Sequence, residues 1–271
     1  MTDQSTQGRV LPLTRAGIWV LLVLAALNGL FLYFVPGMAD TDYAWAILPA
    51  VNAAFIGAGF LAGTVATGLV LAMASRWRTF STLPIALWVL AATLLAATII
   101  HEDRFKWDYV PTWVWAFVYA GVPLAVPFLV ARQRRAADPE PEADPRLRPL
   151  RVASAVAGAV LLVGAVALYV APVDLGEDWP WPLTPLLGRA VAAWYALFGT
   201  MLLSCAFGLR RPAEALIPYA TLASWCVLLL LLPVLHPDDV SGAGLWIALM
   251  AALLALALYG LRIAWPERDN L

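Results

Sequence analysis

About eight times along the chain an apolar run of about twenty residues is bounded by a short charged loop, and such a run is long enough to cross a hydrocarbon core ~30 Å thick. The runs extend from Ala16 to Val35, Pro49 to Met73, Leu83 to Ile100, Thr112 to Val130, Val152 to Val170, Leu183 to Leu209, Ala215 to Leu235 and Gly244 to Leu261. A membrane barrel would be written in stretches of roughly ten residues that alternate apolar and polar positions. These runs do not alternate, so the pattern predicts an all-α integral membrane protein of eight transmembrane helices in a lipid bilayer. Composition agrees, because only 13% of the residues are charged where soluble domains carry roughly a quarter.

Charge is sorted between the loops. Arg9 and Arg15, Arg76 and Arg78, the cluster from Arg132 to Arg151, Arg210 and Arg211, and Arg262 and Arg268 fall in every second loop or at the ends. The intervening loops carry Asp40 and Asp42, Glu102, Asp103 and Asp108, Asp174, Glu177 and Asp178, and Asp238 and Asp239. Excess arginine marks the cytoplasmic side. Both termini are therefore expected there, as an even number of spans requires. Lys106 is the only lysine, which suggests GC-rich coding and a bacterial inner membrane. The basic flank and apolar core at the start resemble a cleavable signal peptide, but the segment has a counterpart later in the chain, which argues for its retention. Cys205 and Cys226 lie within apolar runs and read as small buried hydrophobes rather than a disulfide framework.

That counterpart is part of a longer correspondence. LYFVPGMADTDYAWAILP, from Leu32 to Pro49, is matched by LYVAPVDLGEDWPWPLTP, from Leu168 to Pro185. The separations Pro36 to Pro172, Trp45 to Trp181 and Pro49 to Pro185 are each 136 residues, and His101 to His236 and Asp103 to Asp238 are each 135. The arithmetic predicts two tandem four-helix repeats, residues 1–131 and 151–271, joined by a charged, proline-rich cytoplasmic linker at 132–150. Four spans per unit give both copies one orientation, and hence a pseudo-two-fold axis along the membrane normal.

Two features carry candidate chemistry. The only histidines, His101 and His236, each open an H-x-D tripeptide at the outer end of the third span of a repeat. His101, Asp103, His236 and Asp238 are thus candidate metal ligands for Zn²⁺ or Mn²⁺, and imidazoles alone suit haem iron or copper. Arg189 is the second feature. It stands where the first copy has Ala53, roughly one or two turns inside a span, and Asn52 is the carboxamide at the matching depth. A charge within a span is costly and is turned inward, paired or functional. Candidate partners for Arg189 are Glu177, Asp178 and Asn52, and Arg189 and Asn52 together are candidate ligand contacts.

No glycine-rich phosphate loop, C-x-x-C, H-E-x-x-H or G-x-S-x-G occurs. The basic residues lie at span ends, so nucleic acid is not an expected partner. Three readings follow: a small transporter or permease-like protein with its pathway between the repeats; a subunit of a membrane redox or multiprotein complex binding haem, metal or quinone near the outer face; and an accessory protein with no ligand. An enzyme ranks last, since only the H-x-D groups offer acid/base chemistry. The orientation has a direct test: Asp42→Cys and Asp174→Cys should both react with a membrane-impermeant maleimide added outside intact cells. Reaction of either only from the cytoplasmic side reverses the assignment.

Overall fold

The computed structural model describes residues 8–137 and 139–270, which form a helical bundle with no strand among the described residues. The long helices are α1 (Pro12–Phe34), α2 (Ala50–Met73), α3 (Pro84–Ile100), α4 (Val110–Arg135) and α5 (Arg148–Val170) in the first part of the chain. After a single turn, α6 (Asp174–Glu177), come α7 (Pro185–Gly208), α8 (Leu216–Leu235) and α9 (Gly244–Ala264). Seven of these are long and apolar enough to cross a membrane, α1, α2, α4, α5, α7, α8 and α9. The expected span at Leu83 to Ile100 is the exception, since α3 has 17 residues and a rise of 1.5 Å per residue makes it only about 25 Å long.

Proline sets many of the boundaries. It occupies the first or second position of α1, α3, α4, α5 and α7, where a missing N–H costs nothing and the fixed φ suits a helix. α1, α5 and α8 are each closed by the residue before a proline, at Val35, Ala171 and His236, because the proline ring disfavours helical geometry in its predecessor.

The four acidic loops meet at one end of the bundle. Trp45 bridges Phe105 through the backbone, the Ser241 amide donates to the Pro180 carbonyl at 2.8 Å, and Asn52 bonds the Pro182 carbonyl at 3.0 Å. The arginine-rich segments meet at the other end. There Gly8 N–H donates to Ala136 O at 2.7 Å and Asp144 N–H to Arg210 O at 2.9 Å.

Between the ends, α1 packs along α2, α5 along α7, α4 along α3 and α9 along α8. The halves are joined by exchange: α2 packs on α8 and α7 on α3. α7 buries 72% of its apolar stretch and α4 only 11%, which makes α7 an inner helix and leaves α4 to offer Phe117 and Leu124 to the surroundings. Rings fill the middle. Phe198 stacks on Trp225 with centroids 3.9 Å apart, Tyr195 meets Trp225 edge-on, and Trp246 donates its indole N–H to the Tyr195 hydroxyl at 2.8 Å. Cys205 and Cys226 are buried and unpaired.

The basic end is tied into the bundle. Residues 1–7 lie outside the described part, but from Gly8 onward the chain is fixed by Gln133, fully buried in α4. Its Oε1 accepts from Leu11 N–H and the Thr14 hydroxyl, and its Nε2 donates to Arg9 O at 2.7 Å. The charged segment between the halves also contributes to the core, through Leu147 at 0% exposure.

Close helix contact depends on glycine at a few positions. A Cβ on Gly199 would lie 3.0 Å from the Gly158 carbonyl oxygen on α5, and one on Gly158 would lie 2.8 Å from the Gly199 carbonyl oxygen. Neither neighbour is a side chain that can turn away. Gly199→Leu should therefore destabilise the bundle by about 1–3 kcal/mol through overpacking, measured as loss of secondary structure on heating in detergent. Gly121→Leu, where a Cβ meets nothing within 4 Å, should leave the transition unchanged.

Candidate functional site: an arginine without a carboxylate

α7 begins at Pro185 and is capped by Thr184, whose hydroxyl accepts from Leu187 N–H at 3.3 Å. This anchors the first turn and carries Arg189, four residues beyond Pro185, to the acidic end of the bundle. The guanidinium does not turn to Glu177, Asp178 or Asn52. Its Nη1 donates to His101 Nε2 at 2.8 Å and approaches the Pro185 carbonyl at 3.5 Å. Its carbon lies 5.7 Å from the centre of the Tyr169 ring, within cation–π range. Nε is buried and has no hydrogen-bond partner. Among the described residues Arg189 makes no ion pair with a carboxylate.

The His101 contact crosses between the halves. His101 closes α3, and α3 packs on α7. Arginine has no lone pair to offer, so Nε2 has to accept, and His101 is then the neutral imidazole with its proton on Nδ1. Burial and the Arg189 charge both push the His101 pKa down, against a smaller opposing effect of Asp103. Tyr169 is fixed as well, its hydroxyl donating to the Thr93 carbonyl of α3 at 3.0 Å.

The other proposed ligands are elsewhere. His236 Nδ1 lies 3.9 Å from Asp239 in its own loop. Asp103 is exposed and pairs with Arg104 at 3.1 Å, and Asp238 is exposed. Among the described residues no group of three or more His, Cys, Asp or Glu side chains could hold a metal ion. The four H-x-D residues are therefore not gathered into a ligand set. Asn52 is buried and satisfied: Oδ1 accepts from Trp181 Nε1 at 2.9 Å, and Nδ2 donates to Pro182 O at 3.0 Å and Leu48 O at 3.2 Å. It ties α2 to a loop of the second half, with no donor free for a ligand.

No family model, curated protein or solved structure matches the chain. The chemistry of the site rests on the residues themselves. A partly desolvated guanidinium beside a neutral imidazole and an aromatic face carries a positive charge that no carboxylate among the described residues pairs with, and such a charge attracts an anion.

The most buried ion pair among the described residues lies at the opposite end. Glu214 Oε1 accepts from Arg78 Nε at 3.2 Å, and Oε2 accepts from the backbone of Arg210 and Arg211 at 2.7 and 3.2 Å. It joins the two halves. Glu214 stands among arginines, where the sorting of charge between loops gave no reason to expect an acid.

His101 provides a pH test. Since the folded state disfavours the imidazolium, its NMR titration midpoint should lie below the ordinary value of about 6.5, and Arg189→Gln should raise it. The linkage has a definite sign. As pH falls below the ordinary histidine value, the unfolded chain takes up a proton that the folded chain refuses, so stability drops until the lowered folded pKa is reached.

Proposed function

We propose that this multi-pass membrane protein is a permease-like binding protein made of two tandem four-helix repeats, with both termini cytoplasmic, which recognises an anionic group at the outer face through Arg189. In this reading α3 is the eighth span, its shortness offset by the turns that flank it.

The repeat is supported by contacts that recur at the spacing of the sequence correspondence. Tyr33 donates to Leu228 O at 2.9 Å and Tyr169 to Thr93 O at 3.0 Å, and these pairs are separated by 136 and 135 residues. Arg15 donates to Leu71 O and Arg151 to Ala206 O, again 136 and 135 apart. Trp45 meets Trp115 edge-on and Trp181 meets Trp246 edge-on, a similar contact although Trp115 and Trp246 are 131 residues apart, off that spacing. The exchanged packing of α2 on α8 and α7 on α3 is what a two-fold axis between α2 and α7 would produce.

The observation that carries the functional reading is the uncompensated guanidinium of Arg189. Its position in the first half is taken by Ala53, so the charge belongs to one copy only and is not needed to build the repeat. A carboxylate, phosphate or sulfonate would satisfy it. The accessory reading, with no ligand, draws on a different observation: a Cβ on Gly59 would lie 2.5 Å from the Trp194 ring, so α2 and α7 are closely packed where a central path would run. The metal reading draws no support from the described residues, where no three His, Cys, Asp or Glu side chains are grouped to hold an ion.

Binding separates the first two. Purified protein titrated with small carboxylates, phosphates and sulfonates should show saturable tryptophan quenching, Trp179 and Trp181 being near the start of α7. Arg189→Ala should weaken binding about 10- to 100-fold, the worth of a charged hydrogen bond of roughly 1.5–3 kcal/mol, and Arg189→Lys should restore part of it. Equal responses of wild type and Arg189→Ala would leave the accessory reading in place.

A further inference from the structure

At the arginine-rich end, remote from Arg189, an open groove of about 450 Å³ lies between α5 and α7. Asp144, Arg148, Arg151, Val152, Ala155 and Phe207 line it. Two arginines from the first turns of α5 form its polar part. Arg151 donates Nε to the Ala206 carbonyl at 2.6 Å, which fixes the plane of its guanidinium against α7. Arg148 is exposed, and neither arginine forms an ion pair with a carboxylate among the described residues.

The one acid in the lining does not neutralise them. Asp144 is engaged by Arg146, through Nε at 3.0 Å, Nη2 at 2.6 Å and the backbone N–H at 2.8 Å. These bonds lower the pKa of its carboxyl and keep the charge paired. Arg146 is held in turn by Glu267 at 2.8 Å. The groove therefore presents two guanidiniums with free donors.

Its other wall is apolar and continues along the outside of the bundle. Val152 is 59% exposed and Phe207 69%, and Val156 carries the same surface one turn further along α5. A ligand that fits has an anionic head for the arginines and hydrocarbon for the valines and the phenylalanine. A free anion would use only the first.

The corresponding place in the first half is different. Arg15 matches Arg151 and makes the equivalent bond to Leu71 O, but Pro12 stands where the second half has Arg148. The second arginine of the pair therefore has no counterpart at its matching position.

From this geometry we infer that the groove between α5 and α7 binds the phosphate headgroup of an anionic phospholipid from the leaflet at the arginine-rich end, with an acyl chain along Val152 and Phe207. Basic pockets between membrane helices on the cytoplasmic side are suited to such headgroups.

The full chain, delipidated in neutral detergent and titrated with phosphatidylglycerol or phosphatidylcholine, provides the test, with bound lipid counted by native mass spectrometry. Phosphatidylglycerol should be retained in preference to phosphatidylcholine. Arg148→Gln should weaken retention about fivefold, the effect of one arginine near a charged bilayer surface, and Arg15→Gln should not. If Arg151→Gln loosens the fold by losing the Ala206 bond, Arg148→Gln carries the test alone, since that side chain is exposed. Equal retention of the two lipids, equal loss in Arg148→Gln and Arg15→Gln, or displacement of the lipid by millimolar inorganic phosphate would overturn the inference.

Discussion

In a bilayer an apolar side chain gains nothing by leaving lipid for protein, so helices associate through close contact and a few polar bonds. The bundle depends on this constraint. Gly57 brings α2 so near α1 that a Cβ would stand 2.5 Å from the Tyr33 backbone nitrogen, and Gly158 and Gly199 bring α5 and α7 together in the same way. At these points backbone meets backbone with nothing between. Polar bonds then fix rotation and depth: Tyr33 and Tyr169 each reach a carbonyl on a helix of the other half, and the buried Arg78–Glu214 pair joins the halves at the arginine-rich end. A carboxylate at 8% side-chain exposure is tolerated because Arg78 and two backbone amides satisfy its oxygens together.

Much of this architecture was legible in the sequence because lipid restricts the choices. A span needs a minimum length and cannot expose backbone, so apolar runs and proline positions located the helices to within a few residues. α3, at Pro84–Ile100, ends where its apolar run from Leu83 to Ile100 ends, and is the shortest of the long helices. Side chains that act across the chain were harder to read. Gln133 sits in RQRR, where orientation rules account for every neighbouring residue and offer no reason to look for a buried amide. Glu214 was masked by the same rule.

The candidate site was half legible. A cation inside an apolar run is conspicuous at any register, and so was Arg189. Its partner was not, because the offset arithmetic pairs each residue with its counterpart, His101 with His236, whereas the exchange of helices sets His101 against α7. Equivalent positions need not be neighbours. The histidines were read as a pair in common chemistry; in the fold one serves Arg189 and the other its own loop, where Asp239 stands 3.9 Å away.

The exchange of helices also bears on how the protein is made. Chains fold as they emerge, the N-terminal part first, and α2 and α3 are made well before α8 and α7, which cover them. Until α7 and α8 are synthesised, the faces of α2 and α3 that end in the core lack their protein neighbours. Asn52 waits for Trp181 and Pro182, and Arg78 for Glu214. Assembly of the first half is thus completed only by the second, and a chain stopped after α4 would leave Asn52 and Arg78 without these partners.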